Sequence, residues 1–324
     1  MPAIPAGVRG AVITGWGTAL PPTVVTNHDL EKTIDTTHEW IVERSGIHQR
    51  HVGGTTAGLS IESGRKALEM SGVDPMSIDA LVLATTTPDR SVPGTSATVQ
   101  HALGLKCGAF DVNAACSGFD YALVQAHGMI ALGAKKVLCI GTDTLARITD
   151  WTDRNTAVLF ADGSGAVVLE AVEGPGQLLG WDLDADGSAE KYLFAELGGC
   201  IQMEGKEVFR RAVRIMVDSA TKSMGHAGVK AEDIALVVPH QANVRIIEAA
   251  CNRLGIPLEK AALVLQNTGN TSSASIPLAL CDALDNGRVK KGDLVLLVGF
   301  GAGMTAASVI LQWGGPGGEA KVLA

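Results

Sequence analysis

The chain has 324 residues, 46% of them hydrophobic but only 4% aromatic, so it can bury a large core made from small aliphatic side chains and its 39 glycines. A formal net charge of −8 argues against nucleic acid or an anionic membrane as partner, and no apolar run approaches the roughly 20 residues that span a bilayer. The cysteines at 107, 116, 139, 200, 251 and 281 form no CxxC pair and no zinc-ligand spacing, which reads as reduced thiols in a cytoplasmic protein without a metal.

The opening MPAIPAGVRGAVITGWG has no basic region ahead of an apolar core, so no secretory signal is expected. A first strand is predicted over 8–16 and a helical segment over 27–46, the latter ending in HEWIVERSGI. An amphipathic helix over 60–71, a β-rich run over 78–85, a helix around 95–103 and a short strand near 107–112 follow. After Cys116 the residues Phe119, Leu123, Ala126 and Ile130 recur at helical spacing. The apolar run 137–141 reads as a buried strand, and 157–170 as two strands joined by a glycine-rich turn.

The later half repeats this grammar. GVDPMSIDALVLAT at 72–85 and GVKAEDIALVVPH at 228–240 share a helix end at Gly-Val, a four-residue gap and an apolar strand, at an offset of 156 residues. GAKKVLCIG and GRVKKGDLVLLVG form a second echo at a similar offset. The pattern predicts an α/β chain of two related halves, 1–172 carrying a nucleophilic cysteine and 173–324 carrying a histidine and an asparagine.

Three polar elements carry the chemistry. Cys116 stands between a strand and a helix, where free backbone N–H groups and the helix dipole favour the thiolate. Alone, it would more readily be a small buried residue at a tight junction. His240 follows the strand 234–238 in PHQAN, and Asn270 lies in GNTSSAS, within the second-half counterpart of the Cys116 region. Two related halves packed about a pseudo-dyad would turn these helix starts toward one crevice.

The strings HEWIVERSGI, AACSGF, DRNTAVLFADGSGAVVLE, MEGKEVF, VPHQAN, NTGNTSSASIPLAL and VLLVGFGAGMT, in this order, resemble β-ketoacyl-acyl-carrier-protein synthase III of the thiolase superfamily. The resemblance implies a duplicated, thiolase-like five-layer α-β-α-β-α sandwich, a homodimer, and a Cys-His-Asn site at Cys116, His240 and Asn270. It implies a ping-pong Claisen condensation without a cofactor. Cys116 takes an acyl group from acyl-CoA, and malonyl-acyl-carrier protein then loses CO₂ to an enolate stabilised by His240 and Asn270. The product, a β-ketoacyl-acyl-carrier protein, starts fatty acid synthesis. The oxyanion of the acyl-enzyme would be held by backbone N–H groups of Cys116 and Ala302, the latter standing where the family has the middle of three glycines.

By the same resemblance, Trp40 and Arg154 enclose the CoA adenine, Arg44 meets the nucleotide phosphates, and Asn243 and Phe209 line the pantetheine path. Val92 falls roughly at a position that reaches into the partner's acyl pocket. Arg210, Arg211, Arg214, Arg245 and Arg253 are the candidates for docking an acidic carrier protein. The segment 181–201 matches no family string. Three other readings remain open: a relative in specialised metabolism, a papain-like cysteine hydrolase, whose CGSCW-type signature is missing, and a non-catalytic acyl-binding subunit, which would be expected to have lost Cys116.

Overall fold

The computed structural model describes Ile4 and residues 7–323. The other opening residues, on which the expectation of no secretory signal partly rests, lie outside the described residues. In chain order the first half holds β1 (Ala11–Ala19), β2 (Thr23–Thr26), α1 (Asn27–Leu30), α2 (His38–Ser45), β3 (Gln49–Val52) and α3 (Thr56–Ser71). It continues through β4 (Ala80–Ala84), α4 (Thr95–Ala102), β5 (Gly108–Val112), α5 (Gly118–Ala131), β6 (Lys136–Thr144), α6 (Arg154–Ala157) and β7 (Asp162–Ala171). The second half holds β8 (Leu178–Asp184), β9 (Leu193–Phe194), β10 (Gln202–Met203), α7 (Gly205–Ala227), β11 (Ile234–Pro239) and α8 (Val244–Leu254). It closes with α9 (Leu265–Thr268), α10 (Ser275–Asp285), β12 (Leu294–Phe300) and β13 (Ala306–Gln312).

Two sheets are built on one plan. The first has the order β1-β7-β6-β4-β5 and the second, read from its other edge, β8-β13-β12-β11. In each, the inner pair is parallel (β4 with β6, β11 with β12) and the remaining neighbours of the second of these strands run antiparallel. An isolated parallel bridge between Val237 and Ala261 occupies the place of β5 in the second sheet. The Gly-Val echo has a local cause: Gly72 and Gly228 end α3 and α7 in the left-handed conformation, at φ 69° and 67°, which glycine adopts without a Cβ penalty. A short 3₁₀ turn, 75–77 or 231–233, then leads into the strand.

Alternate strand residues point to opposite faces, and this makes five layers. Leu81 and Leu83 of β4 meet Ala67 of α3 and Val99 of α4 on one outer side. Ala80, Val82 and Ala84 face the middle, where α5 and α10 also touch Leu236, Val295 and Leu297 of the second sheet. Leu296 and Val298 meet α7 and α8 on the other outer side. The predicted stripe Phe119, Leu123, Ala126 and Ile130 is wholly buried in this central layer. Each of its three large side chains contributes on the order of 1.5–3 kcal/mol by leaving water. The duplicated five-layer sandwich expected from the resemblance is the observed fold.

Two local expectations are corrected. The region 157–170 is one strand preceded by α6, because Gly163 and Gly165 are not turn residues. A Cβ on Gly165 would lie 2.7 Å from Pro277 Cβ, so the glycines let α10 lie against β7. The helical segment 27–46 is two short helices, each started by a threonine cap, Thr26 and Thr37.

Candidate active site

Cys116 sits in a 3₁₀ turn, Ala115–Ser117, that runs straight into α5. The turn begins with Asn113, whose Oδ1 accepts the Ala115 N–H at 3.2 Å, and Ala115 takes φ 49°. The same device recurs in the second half: Asn270 Oδ1 accepts the Ser272 N–H at 3.0 Å, Ser272 takes φ 51°, and a 3₁₀ turn enters α10. Asn270 thereby spends its oxygen on its own turn and retains its amide N–H groups as donors. Its backbone is pinned to the first half through Asn270 N–H to Leu159 O at 2.9 Å and Ala161 N–H to Asn270 O at 2.9 Å.

The elements converge on the end of β12. Phe300 meets the His240 ring edge-on at 5.3 Å between centroids, and a Cβ on Gly301 would lie 2.5 Å from Cys116 N. Ser117 Oγ donates to Thr305 Oγ1 at 2.8 Å, which in turn donates to Ala114 O at 2.9 Å, clamping the loop after β12 to the cysteine turn. The backbone N–H groups of Cys116 and Ala302 both fall in the first residues of their 3₁₀ turns, where no intrahelical acceptor reaches them. Ala302 is outside the left-handed region, which falls on Gly303 and Met304, so alanine is accommodated where the family has glycine.

A further residue underlies the site. Asp143, buried in β6, accepts at Oδ1 from the hydroxyls and N–H groups of the Thr85–Thr87 segment, at 2.7–3.2 Å. Its Oδ2 accepts from Ser273 N–H at 3.0 Å and Ser273 Oγ at 2.7 Å. One acceptor-only side chain thus ties the end of β4 to the turn that carries Asn270.

The electrostatics of Cys116 differ from the expectation of a stabilised thiolate. Burial pushes its thiol up to about 12, with the Asp143 charge adding to the effect and the nearby Ser272 hydroxyl opposing it. Burial also keeps His240 neutral, pushing it down to about 3. Cys116, His240 and Asn270 are 9%, 1% and 5% exposed, so a substrate has to reach them as a slender chain. A cavity of about 670 Å³ beside Trp151 is lined by none of the three.

The outlying residues fall into groups. Arg154 and Arg44 place their guanidinium carbons 4.9 and 5.6 Å from the centre of the Trp40 ring, bringing all three together. Asn243 caps α8 through Oδ1, which accepts the Arg245 N–H at 2.9 Å, and its amide nitrogen donates to Arg44 O at 2.8 Å, tying that cap to α2. Phe209 lies under Arg245 at 5.9 Å. Arg210, Arg211, Arg214 and Arg253 line one cavity of about 270 Å³ between α7 and α8, while Arg245 points to Phe209 instead. Val92 is 83% exposed. Sequence reasoning missed Asp143, Ser272, Ser273, Ser275, Gly301 and Thr305; aligning the two Asn-led turns residue by residue would have pointed to the three serines.

A doubled sandwich of this layering, with a cysteine starting one central helix and its mirrored turn starting the other, is the thiolase fold. The family model described as 3-oxoacyl-[acyl-carrier-protein (ACP)] synthase III matches residues 110–187, and that of its C-terminal part matches 224–313. The β-ketoacyl-[acyl-carrier-protein] synthase III 1 of Bacillus anthracis is 47% identical over 308 residues, covering 93% of this chain and 98% of that protein. The chain belongs to the β-ketoacyl-[acyl-carrier-protein] synthase III family. Among solved structures, 3-oxoacyl-[acyl-carrier-protein] synthase III from Aquifex aeolicus VF5 superposes with a TM-score of 0.92 at 45% identity, over 94% of this chain and 100% of that one. The priming β-ketosynthase of the R1128 polyketide pathway reaches a TM-score of 0.90 at 35% identity, over 97% of this chain and all of the other.

Proposed function

We propose that the protein is an acyltransferase that condenses an acyl group from acyl-CoA with malonyl-acyl-carrier protein, giving a β-ketoacyl-acyl-carrier protein and initiating fatty acid synthesis. The observation that carries this is that Cys116 and His240 meet the end of β12, against Gly301 and Phe300, while the turn led by Asn270 sets the Ser272 hydroxyl beside the Cys116 sulfur, in a chain of this family. Cys116 attacks the thioester carbonyl, and its proton ends on the departing CoA thiol, leaving acyl-Cys116 with no net charge in a dry pocket. Malonyl-acyl-carrier protein then releases CO₂, and the enolate oxygen takes hydrogen bonds from neutral His240 and the Asn270 amide. The enolate carbon forms its bond to the acyl carbonyl, whose oxyanion rests on the Cys116 and Ala302 N–H groups. Expulsion of the sulfur, with uptake of one proton, regenerates the thiol.

Trp40, Arg154 and Arg44 hold the CoA nucleotide. The slender pantetheine arm passes Asn243 and Phe209 to the buried sulfur, an access that also disfavours a polypeptide substrate and hence the cysteine-hydrolase reading. Arg210, Arg214 and Arg253, joined by Arg211, receive the carrier protein at the α7–α8 surface, and Arg245 steers the arm beside Phe209. The division at 172/173 into two repeats of one unit is supported by the matching strand orders. A homodimer is supported by β5, an edge strand with Phe110 exposed, and by Val92 on the loop that follows β4. In this reading the enzyme is a soluble cytoplasmic protein that acts on CoA thioesters without a cofactor.

The test is product analysis after acyl-CoA and malonyl-acyl-carrier protein are added together. Release of CO₂ with a β-ketoacyl-acyl-carrier protein supports the reading; free fatty acid and CoA alone would replace it with a thioesterase. The likeness to the R1128 enzyme favours a second reading, priming of a specialised pathway, which a strong preference for that pathway's carrier protein would establish.

A further inference from the structure

The two halves repeat a side-chain contact as well as a chain path. At the offset of 156 residues, Ala84 at the end of β4 corresponds to His240 just beyond β11. The paired left-handed residues Ala115 and Ser272 likewise set Gly118 against Ser275, the first residues of α5 and α10. In the first half a Cβ on Gly118 would lie 3.2 Å from the Ala84 Cβ, an apolar version of the contact. In the second half the same geometry carries polar atoms: Ser275 Oγ lies 2.6 Å from His240 Nδ1. Both residues are buried.

The hydrogen count at this contact decides the tautomer. Ser275 Oγ accepts the Gln241 N–H at 3.3 Å and has a second lone pair free, but among the described residues its hydroxyl hydrogen has no acceptor other than His240 Nδ1, and it would be buried unpaired if Nδ1 carried the ring hydrogen. Nδ1 then accepts and Nε2 carries the ring hydrogen. Because burial keeps the imidazole neutral, the tautomer rather than the charge determines whether His240 offers a donor or a lone pair to substrate. Two lone pairs facing each other would repel an enolate oxygen.

We propose that Ser275 is a positioning residue that locks His240 into the tautomer with its hydrogen on Nε2, making the ring a donor for the enolate formed on decarboxylation. The proposal rests on the reading of His240 as that donor. It separates two half-reactions: the acyl transfer to Cys116 needs no such donor, whereas decarboxylation does.

The experiment combines ¹⁵N spectra of histidine-labelled protein with separate assays of self-acylation by acyl-CoA and decarboxylation of malonyl-acyl-carrier protein. Wild type is expected to show the hydrogen on Nε2 of His240, and Ser275→Ala a mixture of tautomers. In that variant decarboxylation falls about tenfold, short of the 10²–10³ lost when such a donor is deleted outright, while self-acylation stays within about twofold. Ser275→Thr, which retains the hydroxyl, restores both signals. A wild-type ring protonated on Nδ1 overturns the proposal, as does a folded Ser275→Ala with unchanged tautomer and rate. If Ser275→Ala does not fold, the wild-type spectrum alone decides. If wild type neither self-acylates nor decarboxylates, the functional reading fails, and the spectrum still reports the Ser275–His240 bond by itself.

Discussion

Replacing Gly301 with alanine probes the loop against Cys116 through space rather than through backbone conformation. Gly301 has an ordinary extended φ of −155°, so alanine meets no torsional strain there. Its Cβ, however, would lie 2.5 Å from Cys116 N and 2.7 Å from Ala115 Cβ, about 1 Å short of ordinary contact with atoms that no side-chain rotation can move. The loop and the cysteine turn must therefore separate by about 1 Å. Overpacking of this kind costs about 1–3 kcal/mol of stability, and a displacement of that size in an active site costs about 10²-fold in rate. Gly303→Ala is the matched control: at φ 67° it strains the backbone, by about 1–2 kcal/mol, yet nothing lies within 4 Å of the new Cβ. Mass-spectrometric acylation rates and urea unfolding of both variants test this. Gly301→Ala should acylate about 100-fold more slowly and Gly303→Ala near the wild-type rate. A folded Gly301→Ala that acylates normally, or equal slowing of both, would refute the reasoning.

The thiol of Cys116, held near 12 by burial, should react with iodoacetamide at a rate that climbs about tenfold per pH unit from pH 7 to 10 without levelling; peptide-level alkylation measures this, and a plateau below pH 8 would show a helix-stabilised thiolate instead. Asp120, fully buried in α5 with neither oxygen hydrogen-bonded, is raised well above the carboxylate range by burial. Its folded form therefore holds a proton that the unfolded chain releases above about pH 4, so it subtracts stability as pH rises through that value. Asp120→Val should stabilise the protein at pH 7 by about 1–3 kcal/mol in urea unfolding and flatten its pH dependence, and a loss of stability would contradict this. Trp40→Ala or Arg154→Ala should raise the KM for acyl-CoA about five- to tenfold with kcat little changed, as removal of one cation–π partner implies, and steady-state kinetics would expose any dominant effect on kcat.

Much of the architecture was readable because it is written in local patterns. The Gly-Val helix ends work through left-handed glycines, and the α5 stripe works through a 3.6-residue period, so each announces itself within a dozen residues. Gly163 and Gly165 misled because glycine signals both turns and close approach, and only the positions of Leu278 and Pro277, more than 100 residues away, distinguish the two. The site divides the same way. Cys116 and His240 sit at strand-to-helix junctions and Asn270 between α9 and α10, each with its own motif. Asp143 has none, since its donors come from 85–87 and from Ser273, which meet only in the folded chain. The thiol differs from expectation for a related reason: the helix start is visible locally, whereas the burial that raises the thiol is assembled from both halves.

Intact-protein mass spectrometry after incubation with a panel of acyl-CoAs tests most directly whether Cys116 is the acyl acceptor. Wild-type protein should gain the mass of a single acyl group, removable by a thiol, and Cys116→Ser should gain none. A Cys116→Ser protein that acquires the same mass shift would contradict the assignment.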